Sequence, residues 1–216
     1  MRYQPIDSSL FIKNRKNFVE KMKPSSVAIF ISNDIMPTNA DGTMPFVQNS
    51  NLLYSTGIDQ EETILILAPN FPEKKYREVL LVKETSETIA IWEGNKHTKE
   101  ECTSLSGIQN IQWNHKFENI LEYILLKNSN IYLEKNEHPR SVNKVQTNQD
   151  KFYDYCTKKY SDHTYHKSYS LLSDQRMIKD ELEIDLITKA CNITEKGFRK
   201  ILKFIKPQVW EFEIQA

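Results

Sequence analysis

The sequence has few glycines and no surplus of either charge. Only 5 of its 216 residues are glycine, and no glycine-rich loop that could cradle a phosphate follows a predicted strand. Lysine plus arginine and aspartate plus glutamate number 29 each, which gives a formal net charge of zero at pH 7. Nucleic-acid-binding proteins usually carry a basic excess or stripe. These shortages argue against a phosphate-binding loop and against a nucleic-acid partner.

Long hydrophobic runs are also missing. The longest apolar runs, such as VAIFI, fall far short of the roughly 20 residues that cross a membrane, and the N-terminal stretch has no continuous apolar segment typical of export. The three cysteines, Cys102, Cys156 and Cys191, are odd in number, far apart and without metal-ligand spacing. We therefore expect a soluble, cytoplasmic protein with reduced thiols and no membrane partner.

Familiar catalytic signatures are absent from the sequence as well. No serine lies in a Gly-x-Ser-x-Gly turn, and no cysteine has an evident base partner. His163 and His166 lie near Cys156 and Asp162 in CTKKYSDHTYH, but their spacing fits no common zinc module. A solvated segment between domains is the favoured interpretation of this run, and a metal site is the weaker one. Residue chemistry alone gives no self-contained active site.

What the sequence does contain is the alternating pattern of an α/β fold. Strands are predicted at SVAIFIS (26–32), TILILA (63–68), EVLLVK (78–83), TIAIW (88–92) and NIYLEK (130–135). Helices are predicted at 8–21, 99–105, 117–126 and 147–160. The link from Ala68 to Glu78 has hairpin length, which predicts an antiparallel pair. We expect a mixed β-sheet flanked by helices on both faces.

The last part of the chain has a different pattern. Asp180 and Glu183 have the spacing of a capping box, and apolar residues from Leu182 to Ile205 repeat at helical spacing until Pro207. This predicts one helix of about 25 residues, longer than usual in globular proteins, whose apolar stripe must pack on something. QVWEFEIQA, after Pro207, has the pattern of another helix that begins as the chain ends.

Two polar motifs need an explanation beyond a simple turn. NADGTMPFVQNSNLLYSTGI (39–58) places several amides, Asp41 and two glycines between two apolar runs, where a turn needs one or two such residues. In IWEGNKHTKEE (91–101), Trp92 precedes a loop signature, and Thr98 with Glu101 predicts a capped helix start. From the residues alone, Trp92 is a core anchor or a functional loop residue, and the core anchor is favoured.

These two motifs and RMIKDELEIDLITKACNITEKGF (176–198), in this order, resemble the N-terminal part of an Xaa-Pro aminopeptidase (aminopeptidase P) of the creatinase and prolidase superfamily. The resemblance covers nearly the whole chain. It implies a creatinase-type N-terminal domain at 1–160, an interdomain linker at 161–179, and at 180–216 the first helices of a truncated "pita-bread" catalytic domain, on which the long helix would pack.

The resemblance also implies an activity for the parent protein. Such an enzyme is a metallopeptidase that removes the N-terminal residue from peptides with proline second. Its dinuclear site, usually manganese, activates a water for attack on the scissile carbonyl. All ligands of that site are expected beyond Ala216, so no metal ligand and no catalytic residue is assigned in this chain, which is expected to be inactive alone.

Particular residues acquire roles from the same resemblance. In related enzymes, the N-terminal domain of one subunit reaches toward the active-site mouth of another, and the parent of this chain is expected to be a dimer or tetramer. Asp41 falls at the family's loop carboxylate and Trp92 at its tryptophan, which implies a role in substrate access in trans. Arg176 and Lys179 match a basic pair at the domain junction and imply an interdomain ion pair. Gln208 replaces the glycine that usually follows the proline, so that turn is expected to differ.

The remaining residues of the first motif are expected to act as scaffold. Tyr54 and Phe46 are predicted to pack beneath the loop. The amides of Asn39, Gln48, Asn49 and Asn51 are predicted to satisfy its irregular backbone.

Two hypotheses remain open at this point. In the first, the chain is the N-terminal fragment of a working Xaa-Pro aminopeptidase, with its own catalytic domain, a homo-oligomer and proline-containing peptides as partners. In the second, the chain acts alone as a noncatalytic peptide-binding or oligomerisation module.

Overall fold

Six strands form a single mixed sheet in the part of the chain that the computed structural model describes, residues 5–135, 140 and 144–216. The strands are β1 Ser26–Ile31, β2 Ile64–Leu67, β3 Glu78–Val82, β4 Ile111–Trp113, β5 Asn130–Leu133 and β6 Thr164–Lys167. Their order across the sheet is β4-β3-β2-β1-β5-β6. β2 pairs antiparallel with β1 and with β3, and the other three pairs are parallel. The predicted mixed sheet is therefore confirmed, and so is the antiparallel pairing of the two strands, β2 and β3, that the link from Ala68 to Glu78 joins.

Nine α-helices accompany the sheet in the described ranges. They are α1 Ser8–Val19, α2 Ser50–Thr56, α3 Glu87–Glu93, α4 Lys99–Ser106, α5 Phe117–Leu125, α6 Asn148–Lys159, α7 Tyr169–Met177, α8 Glu181–Phe204 and α9 Glu211–Gln215. Short 3₁₀ turns lie at Lys74–Tyr76 and Asn114–Lys116. Side chains start several of these helices: Thr98, Thr147 and Asp180 each form a capping box.

Alternate residues of the central strands face two separate cores. Along β1, Val27, Ile29 and Ile31 pack with α5 and α6, whereas Ala28 and Phe30 pack with α1, α2, α4 and α7. Successive side chains of a strand point to opposite faces, so a strand that is apolar throughout must be covered on both. The sheet is therefore the middle layer of three, as the unbroken apolar run SVAIFIS predicted.

The structure corrects one predicted strand and adds elements that the sequence did not reveal. Residues 88–92, predicted as a strand, lie in helix α3, where the Ser86 side chain accepts from the Ile89 amide at 3.2 Å. Residues 160–172, most of which fall in the segment expected to be an interdomain linker (161–179), contain β6 and the start of α7, and Leu172 is buried against the sheet. β4 and α2 were not predicted, because each is short and lacks a clear apolar period.

The chain forms two compact units, one ending at Gln175 and one from Arg176 to Ala216. In the second unit, α8 has the predicted capping box and ends before Pro207, and α9 follows it. Gln208 has φ 75°, a left-handed conformation that favours glycine. Replacement of the expected glycine therefore leaves the turn in a glycine-like conformation and places a longer side chain there.

Candidate functional site

Both polar motifs leave the sheet at the same edge. Among the described strands only β2 is antiparallel to its neighbours, so the other five strands finish at the end of the sheet where β2 starts. We term this end of the sheet the loop edge. The segment 32–49 follows β1, and the segment 83–98 follows β3. Because only β2 lies between those strands, the two segments start about 10 Å apart.

The first segment forms a short two-stranded arm, residues 36–44, with Asp41 at its tip. Met44 N donates to Met36 O at 2.9 Å, and Thr38 N donates to Gly42 O at 2.9 Å. A Cβ on Gly42 would lie 2.7 Å from the Thr38 hydroxyl, so a side chain at that position would require the Thr38 side chain to shift. Asp41 is exposed to solvent.

Buried amides hold the base of the arm. The Gln48 side chain donates to Gln60 O at 2.7 Å and to Ile58 O at 3.1 Å. The Asn49 side chain accepts hydrogen bonds from two backbone amides at the start of α2. Gln48 and Asn49 are 6% and 7% exposed, so they serve the fold and do not face solvent. The scaffold role predicted for these two amides is confirmed.

The other predicted scaffold residues have mixed roles. Tyr54 is half-buried and packs against the core that contains Phe18 and Leu52, and its predicted position beneath the arm stays a prediction. Asn39 contributes its backbone carbonyl, which accepts from the Gly42 amide at 3.0 Å. The Asn51 side chain donates to the Glu134 carboxylate at the end of β5, where a bond to the loop backbone was expected.

The second segment presents Trp92 to solvent. Trp92 is 86% exposed and the adjacent Ile91 is 77% exposed, so the core-anchor interpretation is wrong. Every residue of α3 is exposed or half-buried. Gly94 ends the helix with φ 79°, a conformation that a side chain would strain. The helix therefore carries an exposed tryptophan that contributes little buried area to the fold.

An ion-pair cluster lies at the base of the Trp92 segment. Lys83 Nζ is 2.6 Å from Glu93 Oε2 and 3.3 Å from Glu62 Oε1. The hydrogen bond to Glu93 raises the pKa of Lys83, and the same bond lowers the pKa of Glu93. The Lys83 side chain is 24% exposed, whereas the Glu62 and Glu93 side chains are 48% and 45% exposed, so solvent and salt screen both pairs in part.

Two more contacts fix the far end of the segment. Lys96 forms an ion pair with Glu61, in which the two side chains are 12% and 15% exposed. The His97 amide donates to Gln60 Oε1 at 2.7 Å. The residues immediately before β2 therefore hold both ends of the loop that carries Trp92.

A cavity of about 280 Å³ opens between the two segments. Phe46 from the base of the arm and His97 from the end of the Trp92 segment both line it, together with Phe11, Asp59 and Glu61. It combines aromatic walls with acidic groups. Of its lining residues, Phe46, Asn95 and His97 belong to the two segments that carry Asp41 and Trp92.

The two segments start close together at the loop edge, but Asp41 and Trp92 do not contact each other. Within the described residues, no hydrogen bond, ion pair or ring contact joins Asp41 to Trp92. Sequence reasoning missed the residues that support Trp92. The signal was present: the β2–β3 hairpin pairs Ile64 with Leu81, and extending this register places Glu62 opposite Lys83.

Arg176 and Lys179 lie near the start of the second unit. Arg176 is in the last turn of α7, and Lys179 lies between α7 and α8. The Lys179 ammonium donates to the Arg176 and Met177 carbonyls. Lysines near a helix C-terminus commonly bond the last carbonyls in this way. The interdomain ion pair expected for this basic pair stays a prediction.

The described residues do not fit a dinuclear metal. They contain no group of three or more His, Cys, Asp or Glu side chains that could hold a metal ion. His166 Nε2 lies 2.9 Å from Asn130 Oδ1, and Cys156 is buried in the core with its pKa raised to about 12 by burial. No metal step is therefore assigned to this chain. No helix in the described ranges is long and apolar enough to cross a membrane.

Comparison with known proteins identifies the class to which this fold and its loop edge belong. Residues 11–132 match the family model of the aminopeptidase P N-terminal domain, which is more than half of the chain. The chain therefore belongs to the aminopeptidase P N-terminal domain family. The Xaa-Pro aminopeptidase of Haemophilus influenzae is 23% identical over 206 residues, which cover 95% of this chain and 45% of the relative.

Solved structures agree with this assignment. A Bacillus anthracis protein described as an aminopeptidase P superposes with a TM-score of 0.86 at 25% identity, covering 98% of this chain and 50% of that one. Aminopeptidase P of Escherichia coli gives a TM-score of 0.80 at 20% identity and shows the same fold over 98% of this chain and 48% of its own. Another structure of the E. coli protein is zinc-substituted and in complex with product. The chain spans about half the length of these relatives.

Proposed function

We propose that this chain is the substrate-access part of a metal-dependent Xaa-Pro aminopeptidase that removes the N-terminal residue from peptides with proline second. One observation carries the proposal. At the loop edge of this domain, Asp41 and Trp92 are both exposed, and each lies on a segment that is held to the fold by its own contacts. In such a substrate the proline nitrogen carries no N–H and the proline ring fixes φ, which calls for a narrow, specialised site.

The catalytic part of the parent is proposed to lie beyond Ala216. The family resemblance assigns a dinuclear manganese site there, and the chain spans about half of its relatives. Every residue of α8 is exposed or half-exposed, although the helix carries an apolar stripe. Burying such residues stabilises a protein by about 25 cal/mol per Å². We propose that the catalytic part covers this stripe and that the parent is cytoplasmic, in keeping with its free cysteines.

Asp41 and Trp92 are proposed to act in trans in a dimer or tetramer. Trp92 would supply a rigid apolar wall to the pocket of a neighbouring subunit, with little side-chain entropy lost on ordering. Asp41 would meet a cationic group at the pocket entrance. Both proposals are supported by the exposure of these side chains and by their shared origin at the loop edge.

The first experiment compares peptidase activity of this chain with that of the product of an extended reading frame, using a proline-second peptide and added manganese. Activity in the longer protein alone supports the proposal. Activity in the 216-residue chain would overturn it, because the described residues supply no metal-ligand set. A functional short product with no activity in any extended form would favour the noncatalytic module.

The second experiment tests the two side chains in the longer, active protein. Trp92→Ala is expected to lower kcat/KM for longer peptides roughly 10-fold, the usual effect of truncating an aromatic contact, and Asp41→Asn is expected to lower it less. Leu126→Ala and Asp162→Asn are matched controls, since both side chains are exposed and lie toward the opposite edge of the sheet. Unchanged kinetics for both test variants would remove Asp41 and Trp92 from the site.

A mixing experiment separates action in trans from action within one subunit. Trp92→Ala subunits are combined with subunits whose catalytic half is inactivated. Recovery of activity in the mixed oligomer is expected if Trp92 serves a neighbour's site. No recovery, together with a kinetic defect of Trp92→Ala, would place Trp92 at its own subunit's site.

A further inference from the structure

We propose that Lys83 is a positioning residue that holds the Trp92 segment at the loop edge by bridging Glu93 to Glu62. The consequence for peptide turnover rests on the function proposed above. The positioning itself does not, because it concerns contacts within the described domain.

The packing of α3 shows why an electrostatic hold matters. A short helix is marginal in water unless tertiary packing stabilises it. α3 has 7 residues, none of them buried, so the apolar core contributes little to its position. The Ser86 cap starts the helix but does not fix it to the sheet, because Ser86 belongs to the same segment.

Lys83 connects that helix to the rigid part of the fold. It directly follows β3, whose residues Leu81 and Val82 are fully buried. Its ammonium reaches Glu93 at 2.6 Å, in the last position of α3 and next to Trp92. A movement of α3 away from the sheet would break this contact.

Glu62 fixes the direction of the Lys83 side chain. It lies opposite Lys83 in the extended β2–β3 register and is 3.3 Å from the ammonium. Glu62 belongs to the stretch before β2, which is also tied to β4's end by a bond from the Asn114 side chain to the Glu62 carbonyl. The lysine is therefore held from the sheet side by one carboxylate and holds the helix through the other.

Two ion pairs anchor the segment after Trp92. Glu93 is held by Lys83 on one side of Gly94, and Lys96 is held by Glu61 on the other. Loss of the ion pair between Lys96 and Glu61 would release the end of the loop, four residues from Trp92. The residue that Lys83 holds, Glu93, is adjacent to Trp92. Lys83 is therefore the anchor that sets the position of the tryptophan.

Hydrogen exchange of the 216-residue chain tests the positioning directly. Exchange of amides in 87–97 is followed by mass spectrometry at short labelling times in the wild type and in Lys83→Met. The variant is expected to exchange roughly 2- to 5-fold faster in this segment alone, which is the range for an ion pair of this exposure. Lys127→Met, at an exposed lysine beyond α5, is the matched control and should exchange like the wild type.

Salt and conservative variants distinguish a tether from a general structural role. About 1 M NaCl reduces the screening length to about 3 Å, and should accelerate exchange of 87–97 in the wild type but add little in Lys83→Met. Lys83→Arg is expected to restore most of the protection. Glu93→Gln changes an exposed side chain and should reproduce the effect of Lys83→Met even if the lysine variant folds poorly.

Two results would overturn the proposal. Equal exchange of 87–97 in the wild type, Lys83→Met and Glu93→Gln would show that the cluster does not hold the segment. Faster exchange throughout the domain would show that Lys83 stabilises the fold as a whole and does not position one loop.

The kinetic arm uses the longer, active protein and a double-mutant cycle. Lys83→Met is expected to lower kcat/KM for longer peptides when Trp92 is present and to have no further effect in the Trp92→Ala background. If Trp92→Ala itself has no effect, the proposed role of Trp92 fails, while the exchange experiment still decides the positioning role. Additive effects of the two substitutions would contradict positioning through Trp92.

Discussion

Arg15 and Glu78 form an ion pair across 63 residues of sequence, with Arg15 Nε 3.1 Å from Glu78 Oε1. The arginine side chain is completely buried, whereas the glutamate is 40% exposed. Arg15 Nη1 also donates to Ser55 O at 2.8 Å and to Ser106 O at 2.9 Å. These carbonyls lie in the last turns of α2 and α4, where backbone carbonyls have no hydrogen-bond donor within the helix. One guanidinium therefore joins α1, α2, α4 and β3.

Arg15→Met is expected to lower the free energy of unfolding by about 3 kcal/mol, because it keeps the bulk of the side chain but leaves two buried carbonyls without donors. Urea unfolding followed by circular dichroism measures the change. Lys16→Met, at the neighbouring exposed position of α1, is the control and should change stability by no more than about 0.5 kcal/mol. Equal stability of the two variants would show that the guanidinium is dispensable.

Acid is expected to destabilise the domain through His166. Burial, followed by the charge of Lys23, lowers the pKa of His166 in the folded state. The unfolded chain takes up this proton near pH 6.5, whereas the folded protein takes it up at lower pH. The unfolded state therefore binds more protons in that window, and stability falls as the pH is lowered through it.

The comparison of His166→Gln with His115→Gln measures this effect. Melting temperatures between pH 7.5 and pH 5 should fall less in His166→Gln than in the wild type, whereas His115→Gln, at a side chain that is 60% exposed, should follow the wild type. Identical pH profiles for the wild type and His166→Gln would contradict the assignment.

The three cysteines are expected to differ in reactivity. Burial raises the pKa of Cys102 and of Cys156 to about 12 in each case, and both side chains are inaccessible, whereas Cys191 is exposed. Because the thiolate is the nucleophile, iodoacetamide at pH 8 should label Cys191 alone in the folded chain and all three in urea. Mass spectrometry of the peptides identifies the labelled positions. Native labelling of Cys156 would show that the α6 side of the core opens readily.

Local sequence chemistry was enough where the pattern was strong. The apolar runs of β1, β2 and β3 require burial on two faces, and the capping boxes at Thr98 and Asp180 satisfy helix-start amides from a few residues away. Each of these signals is contained in its own segment. The central sheet, α4 and α8 could therefore be predicted from the sequence.

Short elements depended on neighbours that no local pattern reveals. β6 is polar and partly exposed, and forms because β5 offers a free edge with Asn130 opposite Thr164. Residues 88–92 have strand-like composition, but the adjacent edge of β3 is occupied by β4, so the segment closes on itself as α3. Propensity gave the wrong element there because it ignores which edge is already paired.

The candidate site, too, could be predicted from the sequence only in part. The sequence by itself determined that Asp41 and Trp92 lie in polar motifs of an aminopeptidase P type, and that the domain has a two-sided sheet. Only the tertiary structure decided that both motifs leave one edge, that Trp92 is exposed, and that Lys83 meets Glu93 and Glu62. The reason is physical: strand direction and pairing order set which loops share an edge, and both arise from long-range contacts.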